Sequence, residues 1–312
     1  NHITYTTDES INVYIYGIFG NDSSSALSST QEVRGNTVYL TKLGNNIVGG
    51  GTYGISNIAN GIIEDNDIKI EFPDAAGYVP GYGIYGEANV IIRNNNVDVM
   101  LTSAAILVGS YYSNNYNIVE DNIIYTHPNT SSYGDGLIIS TATTDTTEVR
   151  GNIFKGTGNY HIVAYDPTYI HHNVFELESG NNSAIYLSGD AKADIINNTF
   201  VGIDDASSIE AIYISSSVNT GFVDIVNNIF YNLHKIIDND SSDDFNLSFN
   251  DFYDISGELI EGISPSGLGD YTFTNQNGTP IDLYNNISQD PLFVDVLNGD
   301  YQLQEGSLCI NA

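Results

Sequence analysis

A six-residue motif, aliphatic–x–x–Asn–x–apolar, recurs nine times along the chain and restricts what it can fold into more than any other feature. The copies are VRGNTV from Val33, IEDNDI from Ile63, IRNNNV from Ile92, VEDNII from Val119, VRGNIF from Val149, IHHNVF from Ile170, IINNTF from Ile195, IVNNIF from Ile225 and LSFNDF from Leu247. Their asparagines are Asn36, Asn66, Asn95, Asn122, Asn152, Asn173, Asn198, Asn228 and Asn250, spaced 21 to 30 residues apart. A constant motif with variable gaps marks a solenoid whose strands stack in register while its loops differ. A second family of short apolar segments precedes most of these asparagines: GISNI from Gly54, GIYGE from Gly83, AILVG from Ala105, GLIIS from Gly136, HIVAY from His161, AIYLS from Ala184 and AIYIS from Ala211. Both families are rich in β-branched residues and bounded by Gly, Asn and Ser, so they read as strands of parallel sheet. No segment carries a sustained helical period.

The expected fold is therefore all-β, a parallel β-helix of about 9–11 coils over residues 1–254. Residues 255–312, where the motif stops and Gly, Pro and Ser rise, are expected to form a C-terminal coil and cap of the same domain. Stacked coils place the nine asparagines at one corner, ~4.8 Å apart, where each amide has a donor and an acceptor for its neighbours. Asparagine also tolerates the backbone conformation of a tight corner. Residues 1–19 alternate like strands, so a preceding domain or another subunit is expected to cover the N-terminal end.

Register predicts two outward columns. The residue after the first aliphatic of each motif reads Arg34, Glu64, Arg93, Glu120, Arg150, His171, Ile196, Val226, Ser248, and this column holds every arginine of the chain. The residue three past each asparagine reads Tyr39, Lys69, Asp98, Tyr125, Lys155, Glu176, Val201, Tyr231, Tyr253. These columns pair Arg93 with Glu64 and Glu120, Lys69 with Asp98, and Lys155 with Glu176.

Composition narrows the partners. Eight Lys and Arg against 39 Asp and Glu give a net charge of −31. Such a field repels nucleic acid and anionic membranes, and repels anionic polysaccharide unless a divalent cation such as calcium bridges the two. No cofactor is otherwise implied, and no metal ligands are assigned. The single cysteine, Cys309, excludes an internal disulfide framework and a cysteine-based zinc site. No apolar run is long enough to span a membrane. Eight Asn-x-Ser/Thr sequons fit a secreted chain.

Residues Val33 to about Asp254 resemble the right-handed parallel β-helices of the pectate-lyase-like superfamily, in their right-handed β-helix repeat branch. The tail DPLFVDVLNGDYQLQEGSLCINA from Asp290 is similar to the closing segment of many secreted members, with Leu308 and Asn311 in place of the usual proline and aspartate. The resemblance implies a right-handed helix and an extracellular or cell-surface location. It implies no single activity, because the superfamily holds lyases, glycosidases, tail spikes, adhesins and surface-layer proteins. Its lyases use an Arg or Lys beside calcium-binding carboxylates, whereas the arginines here are committed to a structural column. The signatures of its polygalacturonases are absent.

The best acid–base constellation in register is Asp135 beside Tyr160, with His161 and Asp166 on the next coil; Asp135, His161 and Asp166 are the candidate catalytic residues. Glu210 and His234 fall in the Asp135 column farther along, and Glu210, three coils off at ~14 Å, is too far for a carboxylate pair. Tyrosines on loops and outward positions of consecutive coils, among them Tyr82, Tyr85, Tyr111, Tyr112, Tyr133 and Tyr160, are the candidate substrate-binding residues, as a sugar-stacking platform or a protein interface. Two functions are expected from this balance. The first is a secreted or cell-surface module with a structural or adhesive role in an extracellular assembly, holding polysaccharide or copies of itself. The second is a polysaccharide lyase or glycoside hydrolase with its site on the loops of the central coils.

Overall fold

The computed structural model describes residues 1–7, 15–20, 31–42, 51–72, 80–100, 103–109, 115–127, 134–141, 145–203, 209–218, 222–241, 245–262 and 264–310. The described strands up to Glu261 form three parallel sheets of ten, ten and nine members, and the chain visits the sheets in turn, so that strands three apart in sequence pair. The first sheet holds the strands that follow the ladder asparagines, such as Thr37–Lys42 and Asp67–Glu71. The second holds the other apolar family, such as Gly81–Gly86 and Asp135–Ser140. The third holds the segments leading into each asparagine, such as Gly61–Glu64 and Tyr116–Glu120. This is the all-β parallel solenoid that the repeats predict.

The corner between the third and first sheets is an asparagine ladder. Asn95 shows its bonding: its backbone N–H and its side-chain amide both donate to Asn122 Oδ1, at 2.9 and 3.0 Å. The same amide nitrogen lies 2.9 Å from the carbonyls of Ile63 and Arg93, satisfying backbone acceptors of two coils. The left-handed conformation belongs to the residue just before the asparagine. Gly35, Asp65, Asn94, Asp121, Gly151, His172, Asn197, Asn227 and Phe249 all have φ between 54° and 65°. The corner therefore selects Gly, Asp or Asn one position earlier than expected, while the ladder asparagine is selected for its amide.

Inward aliphatic residues of all three sheets form one continuous core. Phe154, Phe175, Phe200 and Phe230 of the first sheet stack down it with ring centroids 4.7–5.0 Å apart and nearly parallel planes. Burying each ring contributes roughly 1.5–3 kcal/mol. On the outside of the third sheet, Arg34 meets Glu64 at 2.8 Å, Arg93 bridges Glu64 at 2.6 Å and Glu120 at 3.7 Å, and Arg150 reaches Glu120 at 2.6 Å. This is the predicted charge column. In the second column Lys155 pairs with Glu176 at 3.0 Å as expected. Lys69 instead turns along its own strand to Glu71 at 2.6 Å, and Asp98 takes His127 at 2.7 Å. A carboxylate two residues away on the same face lies ~6.6 Å along the strand, within reach of a lysine side chain.

Beyond the last motif copy, Ile260–Glu261 adds a final strand to the second sheet. The hairpin of Phe293–Asp295 and Asp300–Leu303 then folds back over the outside of the first sheet. Phe293 packs edge-on to Tyr231, and Gly299 approaches Glu176 and Lys155. The tail thus lies along the coils. Its cover explains why Val201, expected to face solvent, is fully buried.

Candidate functional site

The outer face of the second sheet carries two parallel files of residues. Register places Tyr16, Tyr53, Tyr82, Ala104 and Asp135 in one file, and this file continues through Tyr160, Ser183, Glu210 and Lys235. The other reads Tyr85, Leu107, Ile138, Val163, Tyr186, Tyr213, Asp238 and Glu261. Parallel pairing forces this alignment, because residues of like position repeat on one face at the strand spacing.

The tyrosines of these files touch. Tyr16 stacks on Tyr53 at 5.0 Å, and Tyr82 lies 5.9 Å from both Tyr53 and Tyr85. Farther along, Tyr186 lies 4.8 Å from Tyr160 and stacks on Tyr213 at 5.4 Å. Two clefts open on this face. One, of about 330 Å³, is walled by Tyr82, Tyr85, Leu107, Ile138 and Tyr165, with Ser140 and Thr141 at its edge. The next, of about 430 Å³, is lined by Tyr160, Asn182, Ser183, Glu210, Tyr213 and Asp238.

The second cleft ends on a charged group. The Lys235 ammonium lies 3.0 Å from Glu210, 3.7 Å from Asp238 and against Glu261. Burial would lower the lysine pKa, but Glu261 and Glu210 outweigh it and hold it above the ordinary value. Burial raises the Glu210 and Asp238 carboxyls, with Lys235 opposing. Tyr213 donates its hydroxyl to Asp240 at 2.7 Å, a bond that pushes the phenol up to about 12. The carboxylate oxygens of Glu210, Asp238 and Glu261 lie within 4.8 Å of one another, close enough to share a metal ion. Calcium wants six or more oxygens, and here the lysine ammonium already takes the central position, so these residues fit a cation only if Lys235 leaves.

No family model, no curated protein and no solved structure matches the chain. Among the described residues no helix is long and apolar enough to cross a membrane.

The catalytic candidates do not converge. Asp135 stands on the second-sheet face, where it accepts the Tyr160 backbone N–H at 3.3 Å. Burial pushes it up to about 7. His161 points the other way. It is fully buried beside the stacked Phe154 and Phe175, with its ring nearly parallel to both, and burial pushes its pKa down to about 4. Its Nε2 faces the Gly156 carbonyl at 3.2 Å. The reason is local: the column holding Gly54, Gly83, Gly136 and His161 faces the core, where a side chain on Gly136 would meet Phe154. Asp166 accepts the Thr141 backbone N–H at 2.6 Å and lies nearly buried, holding a turn.

Among the tyrosines, Tyr82, Tyr85 and Tyr160 line the two clefts, whereas Tyr111, Tyr112 and Tyr133 lie outside the described residues. Tyr16, Tyr53, Tyr186 and Tyr213 complete the files and were not singled out from the sequence. The repeated tyrosine of AIYLS and AIYIS was the available signal. The column position assigned to His234 belongs to Lys235, which pairs in register with Glu210.

Proposed function

We propose that this chain is an adhesive module of an extracellular assembly that holds an extended saccharide along its second sheet. The observation that carries the reading is two groups of contacting tyrosines on that one face, Tyr16 to Tyr85 and Tyr160 to Tyr213, flanking two consecutive clefts. Tyrosine presents a broad apolar ring with a polar edge, which suits the alternating apolar and hydroxyl faces of a pyranose. The ~4.8 Å strand spacing is close to the advance per residue of an extended glycan, so successive coils can meet successive sugars. The net charge of −31 favours an uncharged or cationic chain over an anionic one.

A degradative activity has less behind it. The nearest carboxylate to Asp135 in its own file is Glu210, three strand spacings or ~14 Å away, beyond the separations used by glycosidase pairs. Lys235 is held protonated by its carboxylates and is a poor base.

Titration calorimetry against a panel of oligosaccharides tests the reading, with reducing ends assayed alongside. Binding should occur without product, and the Tyr186→Ala/Tyr213→Ala double variant should lose it while retaining its melting temperature to within a few degrees. A protein that binds no saccharide, or a double variant with unchanged affinity, overturns the proposal.

A further inference from the structure

The two clefts on the second sheet differ in charge, and the difference has chemical content. Among the described residues, the cleft walled by Tyr82, Tyr85, Leu107, Ile138 and Tyr165 has no charged side chain in its lining. The cleft between Tyr160 and Tyr213 has Glu210 and Asp238 in its wall and the Asn182 amide at its edge. Behind it, three carboxylates, Glu210, Asp238 and Glu261, share the single ammonium of Lys235. Asp240 adds a further carboxylate at the Tyr213 hydroxyl. The group therefore retains a surplus of negative charge beside two aromatic walls. An aromatic ring face attracts cations, and carboxylates that are partly shielded from water bind an ammonium more strongly than exposed ones do.

Resting on the saccharide-binding reading, we infer that the cleft between Tyr160 and Tyr213 takes an amino sugar with its amine free and protonated. The pyranose ring lies against Tyr160, Tyr186 and Tyr213, and the ammonium meets Glu210 and Asp238. The uncharged cleft takes a neutral residue of the same chain. The face thus distinguishes a sugar amine from its N-acetyl form, which has the same ring but no charge.

Calorimetry with three β-linked oligomers of equal length tests this: glucosamine, N-acetylglucosamine and glucose, in a buffer acid enough to keep the amines protonated. The glucosamine oligomer should bind about tenfold tighter than the other two, with the advantage shrinking as salt is raised. Asp238→Asn, and separately Glu210→Gln, should bring the three affinities together. The two variants are independent, so one that fails to fold leaves the other to decide. Equal binding of all three oligomers by the wild type overturns the amine assignment and leaves the saccharide-binding reading standing. A preference that survives in a folded variant also overturns the assignment. Absence of binding to all three oligomers overturns this inference, and the oligosaccharide panel above then decides the broader reading separately.

Discussion

Asn250 donates its backbone N–H to Asn286 Oδ1 at 2.9 Å across 36 residues, adding a rung that lies outside the repeated motif. Asn286 in turn donates its backbone N–H and its side-chain amide to Asp282, a carboxylate that only accepts and so ends the chain of amides. Each rung satisfies backbone groups of its neighbours in the interior, where an unpaired group costs free energy. Asn286→Ala and Asn95→Ala should each destabilise the fold by about 1–3 kcal/mol. Urea denaturation measures this, and midpoints unchanged in both variants would contradict the ladder's role.

Phe249 occupies a corner position that requires a left-handed backbone, at φ 58°. Its ring is half exposed, so little packing offsets the strain. The left-handed conformation costs most residues about 1–2 kcal/mol, and asparagine less. Phe249→Asn should therefore raise stability by about 1 kcal/mol, seen as a higher denaturation midpoint. Asn227, already suited to the same corner one coil earlier, should gain nothing on replacement by Asp.

Asp251 is buried under the tail, where it accepts the Gln289 N–H at 2.9 Å and the Cys309 thiol at 3.0 Å, and burial pushes it up to about 6. The folded state therefore holds its proton more tightly than the unfolded chain does. This contribution to stability is fully present at acid pH below the unfolded carboxyl value, and it is lost as pH rises through about 6. Asp251→Asn removes the titration while Oδ1 still accepts from Gln289. The variant should match the wild type in acid and exceed it by on the order of 1–2 kcal/mol in mild base. Thermal melts at the two extremes compare them, and equal differences at both would refute the assignment.

Lys235 pairs with three carboxylates from successive coils and offsets part of their charge. Lys235→Ala should lower the melting temperature in the absence of divalent ions, because the carboxylates then repel one another. Calcium should restore it in the variant and not in the wild type, since only the variant leaves the central position open. A melt that responds to calcium equally in both proteins would show that the lysine does not hold that position.

The solenoid was legible in the sequence because a parallel stack repeats like positions on one face. The nine motif copies therefore specify which residues align, from the asparagine ladder to the Arg93 contacts with Glu64 and Glu120. The tyrosine files follow from the same rule. What alignment does not carry is the direction a side chain takes at a coil's corner and the docking of segments that do not repeat. His161 shares a column with glycines and alanines, and only the packing of that column against Phe154 and Phe175 turns it into the core and away from Asp135. Asn286 joins the ladder, and the Phe293 hairpin covers Tyr231, through contacts between residues far apart in sequence, with no motif to mark them. Repetition along the chain determined the coils; complementary surfaces, formed only once those coils were stacked, decided where His161, Lys235 and the tail would lie.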